Sequence, residues 1–413
     1  MTDTADHEAV DFDAEMARML LTFAVWEEVP EQAAARATAE PQPMYVDLAR
    51  RCPVVHHDNG AVTLLTMDDI LFVNKHRRVE QSSKYLGSNR PAIPLGLDGP
   101  EHTKYRRLLD PVFTARRIAP LADQVRELAH RMIDGFIDRH EVDAYREWCE
   151  PLPSQIFLSI MGLPMEDLPG FLHFKELTLS NEVLEREPPE VAAAKRAEAV
   201  EWIQAYFNRS LDERQATGEP GEDMLGWLLT AEAGGERLSR EDILDILGLL
   251  MIAGLDTVAS SLACFLSYFA RHPEERAAMV ADPSRWPAAV EELMRFESPV
   301  TDGSRIALDD LDLPSGEHVA AGTTMVVSWS AANLDPTYFP DPLAVDLGRS
   351  PNPHIGFASG FHRCLGSHLA RMEMVTALEV WHERIPDYRI EPGTELVYSG
   401  NPRCPHHFPL VWG

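Results

Sequence analysis

The chain has 413 residues, enough to bury a large core without disulfide or metal staples. Its 66 acidic side chains against 37 Lys and Arg leave a net charge of −29. That balance argues against a nucleic-acid partner and against an anionic membrane surface, since both need clustered positive charge. At 45% hydrophobic and 25% charged, the composition is that of an ordinary globular protein.

Residues 1–40 are acidic and rich in Ala and Glu, and read as a loose arm leading into a first helix. Met1 to Val10 has no apolar run of the signal-peptide kind, and the five cysteines show no Cys-x-x-Cys spacing. A reducing cytoplasm is the expected setting. A short strand is predicted over 62–65, after the Asn59-Gly60 turn. Pro100 suits the first turn of a helix reaching about Leu109. Helical spacing of apolar residues marks 121–140, 192–212 and 222–232. Ser239 with Asp242 three residues on is a helix start for a long apolar segment that stops near His272-Pro273. Asp256, Thr257 and the serines at 260, 261 and 267 interrupt that segment, so it reads as a core helix rather than a membrane span. A charged side chain there is costly and needs a reason. Another helix is predicted over 286–295, small strands over 302–328, and a proline-punctuated irregular stretch up to a last helix starting near Cys364. The balance is mainly α with a small β portion, in one domain spanning 1–413.

The run from His354 to Gly366 delivers one cysteine on a glycine-rich loop to the predicted start of a helix. Partial positive charge at a helix N-terminus, with Arg363 and His362 alongside, favours thiolate at Cys364. Such an environment serves a nucleophile or an axial metal ligand; a buried structural cysteine is the plainer alternative. Cys52, Cys149, Cys264 and Cys404 have no comparable context.

The pattern Phe357-x-x-Gly360-x-His362-x-Cys364-x-Gly366 resembles the haem-binding loop of the cytochrome P450 family. Three further stretches resemble that family in order and distance: His102 with Arg106, Ala253-Gly254-Leu255-Asp256-Thr257, and Glu292-Leu293-Met294-Arg295. The resemblance implies the cytochrome P450 fold over essentially the whole chain, with haem b (iron protoporphyrin IX) as cofactor and Cys364 as its axial iron ligand. Thiolate rather than imidazole donates electron density that favours O–O cleavage. By the same resemblance Phe357 packs beside the sulfur, and His102, Arg106, Arg305 and His362 hold the haem propionates. Gly366 lets the backbone approach the haem. Asp256 and Thr257 become the acid and alcohol of the oxygen pocket, with Gly254 allowing the helix to open locally. Glu292 and Arg295 form a structural pair, and His354 is structural. Two departures stand out. The usual Pro-x-Arg-Phe is Pro342-Leu343-Ala344-Val345, so the arginine expected at Ala344 is missing, and Ala358 stands where glycine is common.

The function this implies is a haem-thiolate monooxygenase that hydroxylates a small hydrophobic substrate with O2. No Gly-x-Gly-x-x-Gly fingerprint is present, so electrons come from a separate carrier, which the resemblance implies is a ferredoxin with its ferredoxin reductase. Lys104, Arg107, Arg116, Arg117, Arg363 and Arg371 are candidates for that docking face. Leu95, Leu249, Leu250, Ala253, Val300 and Thr301 are the candidate pocket lining, with walls also from 83–98 and 165–190, and the central helix and C-terminus resemble the camphor-hydroxylase group. A compact apolar, terpenoid-like substrate and a monomeric enzyme are expected. A peroxygenase or isomerase on the same fold is the alternative, disfavoured by the intact Asp256-Thr257 pair; a non-catalytic haem or ligand-binding protein is a third.

Overall fold

Ser239 opens the longest helix among the described residues. Its hydroxyl accepts the Asp242 amide at 3.1 Å, and the Asp242 carboxylate takes the Ser239 amide in return at 3.4 Å. The helix then runs unbroken over Arg240–Arg271, and Pro273 starts the next one. The structure is a computed structural model that describes residues 39–81, 90–178 and 188–413. Residues 1–38 of the acidic arm, and parts of the two predicted pocket walls, lie outside the described residues.

Apolar side chains leave this central helix in two directions. Leu262, Phe265 and Phe269 pack with Trp148, Trp286 and Trp381. Leu247, Met251 and Leu255 pack with Phe157, Phe171 and Phe207. Each such side chain, fully buried, contributes about 1.5–3 kcal/mol, so the helix anchors both halves of the core. It is the one described helix apolar and long enough to cross a membrane, and 67% of its most apolar stretch is buried inside the protein.

The β portion is small. One sheet runs in the order Val54–His56, Val62–Leu64, Thr324–Ser328, Asp302–Ala307, Val79–Glu80. All pairs are antiparallel except Val62–Leu64 with Thr324–Ser328, where Val326 lies beside Thr63. Leu64 is buried with Val54, Met325 and Val327 against Ile70, Phe339 and Ile355.

Helices fall close to their predicted positions, with two differences. The stretch predicted over 192–212 is the middle of a longer helix, Pro189–Thr217. The last helix is Ser367–Arg384, with Gly366 as its N-cap, so Cys364 stands before the helix, on the loop.

Candidate active site

The cysteine loop is set by contacts that only glycine permits. Gly360 has φ of +69°, and a Cβ there would lie 2.0 Å from the carbonyl oxygen of Asn74. Asn74 caps the helix Met67–Val73 and donates from Nδ2 to Ser359 Oγ at 3.0 Å. The Cys364 amide donates to Phe357 O at 2.9 Å, which closes the loop on itself. Ala358, where glycine is common in the family, has φ of +55°.

Cys364 is exposed on one side, yet the protein atoms packed around the other sides desolvate it. Desolvation raises its thiol pKa, and the Gly366 amide with Arg106, Arg371 and Arg363 pulls it down only in part. The net direction in the protein alone is upward, and the helix begins three residues after Cys364. A thiolate here needs a stronger positive partner, as a bound metal provides. Cys149, Cys264 and Cys404 are buried, and burial pushes the first two thiols up.

Cations gather beside this loop. His102 and His362 rings lie 4.3 Å apart. Arg106, one turn beyond His102 on the helix Gly99–Leu109, donates to Arg363 O at 2.8 Å and pairs with Asp110. Arg305, on the strand Asp302–Ala307, is buried and donates to Ser304 O and Gln81 Oε1. Burial pushes its guanidinium down to about 10, with Asp98 opposing, and it has no carboxylate in ion-pair contact among the described residues. His102 is pushed down to about 4 by burial, then by His362 and Arg106. Asp98, whose carboxylate meets His362 Nε2 at 2.8 Å, is the acid at this cluster. His362 Nδ1 is buried with no hydrogen-bond partner among the described residues.

The central helix leaves one face partly uncovered. Ala253 is exposed in the middle of an otherwise buried helix, and Leu249, Leu250 and Thr257 on its flanks are half-buried. Leu95 and Val300 are half-buried as well. Thr301 is not a lining residue of this kind: it is buried, with its hydroxyl on Asp302 and its amide on Asn401. Thr257 Oγ1 donates to Ala253 O at 2.8 Å. The helix is not opened at Gly254, where an added Cβ would lie 3.3 Å from Phe157; the glycine makes room for that ring. Asp256 is buried on another face of the helix, 3.0 Å from Lys175 Nζ, a charge contact rather than a well-aligned hydrogen bond. Lys175 also donates to Glu150 at 2.9 Å and to the Tyr145 hydroxyl at 3.0 Å. Burial works to lower the Lys175 pKa, but Asp256 and Glu150 outweigh it, and the net direction is up.

Glu292 and Arg295 are wholly buried and joined by two hydrogen bonds, 2.8 and 2.9 Å. The cation missing at Ala344 is supplied by Arg349, whose Nε donates to Glu292 Oε2 at 3.0 Å. Ala344 contributes its carbonyl instead, to both Arg295 and Arg349. His354 bonds Glu291 at 3.0 Å. Lys175, Glu150, Arg349, Asp98 and Glu291 were not singled out from sequence. A lone lysine in the apolar run 168–178 was the available signal for the first.

These residues fit haem. A flat dianion carrying a metal matches a cation cluster with an unpartnered buried imidazole nitrogen, open space over Gly366, and an exposed cysteine on the loop beside them. Comparison with known proteins agrees. The family model for Cytochrome P450 matches residues 46–282 and 286–381. The mycinamicin IV hydroxylase/epoxidase of Micromonospora griseorubida is 34% identical over 325 residues, 77% of this chain and 79% of the relative. The nocardicin C N-oxygenase of Nocardia uniformis is 33% identical, with 77% and 79% covered. The LnmA cytochrome P450 hydroxylase of Streptomyces atroolivaceus superposes with a TM-score of 0.80 at 30% identity, covering 94% of this chain and 99% of that one. The chain therefore belongs to the cytochrome P450 family, whose members bind haem b and act as monooxygenases.

Proposed function

We propose that this monooxygenase hydroxylates a compact hydrophobic substrate, with Cys364 as the axial ligand. The cluster of His102, Arg106, Arg305 and His362 at the cysteine loop carries the reading, because it places charge for two propionates beside the ligand. Haem supplies dioxygen binding and O–O cleavage when bound.

The chain's own residues do the rest. Leu95, Leu249, Leu250, Ala253 and Val300 offer an apolar wall with few polar anchors, which holds a hydrophobic molecule and excludes water. The named relatives act on chemically different molecules (mycinamicin IV, nocardicin C), so substrate class rests on this lining. Thr257 Oγ1 holds a proton on this face of the helix, on Ala253 O, and would be the group to supply it where haem supports dioxygen chemistry. Asp256 feeds it: half-buried Glu150, Lys175 and buried Asp256 form a line of titratable groups from the surface to the central helix. Asp256 must leave Lys175 to act.

Electrons arrive from a ferredoxin and its reductase. Arg107, Arg116, Arg117 and Arg363 are exposed, and the helix Ala115–Ile118 packs on Ser367–Arg384 just behind the cysteine loop. Arg371 is tied to Glu291 and Lys104 lies near Glu101, so neither is a free docking charge. A single-domain cytoplasmic monomer completes the proposal.

Two variants test it. Cys364→Ser loses the thiolate absorption of the reduced carbonyl complex; an unchanged spectrum refutes the ligand. Thr257→Ala diverts reducing equivalents to peroxide, and unaltered coupling refutes the proton role.

A further inference from the structure

Arg371 projects from the helix Ser367–Arg384 with its guanidinium carbon 4.1 Å from the centroid of the Phe357 ring. That is close contact of a cation with a ring face. The guanidinium is held there by Glu291, with Nε to Oε1 at 2.6 Å and Nη2 to Oε2 at 2.8 Å. The same carboxylate meets His354 Nε2 at 3.0 Å. Burial alone would raise Glu291, but hydrogen bonds from His354 and Arg371 bring it down to about 2, so its charge is fixed. Phe357 in turn is the residue whose carbonyl takes the Cys364 amide at 2.9 Å. Three elements, the helix Trp286–Glu297, the cysteine loop and the helix Ser367–Arg384, thus converge on one aromatic ring. Arg371 is also one of the three cations that act on the sulfur.

We propose that Arg371 is a positioning residue for Cys364: clamped by Glu291 and His354, it holds the Phe357 ring against the cysteine loop and sets, by its charge, how much electron density the sulfur gives to bound iron. The proposal rests on Cys364 being the ligand. A fixed positive charge near the sulfur favours the reduced, more negative state of the iron, and a fixed negative charge disfavours it. Arg371 and Glu291 therefore act with opposite sign although they belong to one ion pair. A merely structural pair would change both variants in the same way.

The test is the midpoint potential of the haem-loaded protein by spectroelectrochemical titration, with the iron–sulfur stretch by resonance Raman as a second readout. Arg371→Gln is expected to lower the potential and raise the stretching frequency. Glu291→Gln is expected to do the reverse, and the double variant to return close to the unsubstituted protein. Arg371→Lys keeps the charge and stays near the unsubstituted potential. Unchanged potentials, or shifts of the same sign in Arg371→Gln and Glu291→Gln, overturn the proposal, as does a fall in Arg371→Lys as large as in Arg371→Gln. If Arg371→Gln does not retain haem, Glu291→Gln decides alone: a rise supports the proposal, and no change or a fall overturns it. Failure of the ligand reading is seen separately, as an unsubstituted protein without thiolate absorption, and it removes this proposal too.

Discussion

Lys175 Nζ lies 3.0 Å from Asp256 and 2.9 Å from Glu150, so one buried ammonium joins the central helix to the segment entering the helix Pro151–Met161. Taking a buried cation from two carboxylates strands their charge, and breaking such a contact costs about 3–5 kcal/mol. Lys175→Met should lose about that much in denaturant unfolding. Adding Asp256→Asn to Lys175→Met should recover part of the loss, because one stranded charge is removed. A Lys175→Met protein as stable as the unsubstituted one would show that the contact is not holding the helices.

Arg349 is the second cation of the Glu292 site, and Glu292 is wholly buried. Arg349→Ala leaves Glu292 with Arg295, the Asp346 amide and Asn352 as its remaining partners. The expected cost is about 1.5–3 kcal/mol, from the loss of a charge-assisted hydrogen bond to a buried carboxylate, together with weaker haem retention as the stretch 342–352 loosens. A shift under about 0.5 kcal/mol, the range of ordinary surface substitutions, would mean the arginine is dispensable.

Ala358 is held at φ of +55°, where its Cβ is strained and glycine's absence of one is not. Ala358→Gly should therefore stabilise the protein by up to about 1 kcal/mol, offset in part by the greater freedom of glycine in the unfolded chain. Chemical denaturation with haem content measured in parallel checks it; a loss of stability would show that the methyl group is needed in the loop.

Glu373, on the helix Ser367–Arg384, is buried and pushed up to about 8 by desolvation. The folded state keeps a proton there that the unfolded chain has already shed, between an ordinary value near 4.5 and about 8. Its contribution is full below the lower value and is lost as pH rises through the upper one. Glu373→Gln should flatten the fall in stability between pH 4.5 and about 8 and leave the slope below pH 4.5 alone. On the acid side the sign reverses. His102 is held neutral down to about 4, so its contribution is present above 6.5 and disappears as pH falls toward 4. Unfolding free energies followed across both ranges test the two signs together.

The cysteine loop was legible because its chemistry is local: a few consecutive residues carry the turn, the ligand and the ring beside it. The capped start of the central helix was legible for the same reason, since Ser239 and Asp242 need only each other. Partners brought in from elsewhere were not. Arg349 escaped notice because attention to position 344 assumes a fixed spacing, whereas the irregular stretch folds back and lets a later side chain reach Glu292. Lys175 and Asp256 belong to different helices, and only packing shows that one answers the other. The last helix starts three residues beyond Cys364, a boundary that sequence pattern places only to within a few residues. Gly254 was read through the resemblance as a place for the helix to open, and the neighbour that needs its small size, Phe157, comes from a distant helix.

The parallel seam between Val62–Leu64 and Thr324–Ser328 has a bearing on biosynthesis. The first of these strands emerges early from the ribosome and has to wait for the second until most of the chain has been made. Such distant pairing is slow to form, so the helical half can collapse first and the sheet closes over it last. The strand bearing Arg305 pairs with the later of these two strands. Cofactor loading then becomes a near-final event of maturation, and nascent chains halted before the seam should be unable to retain pigment.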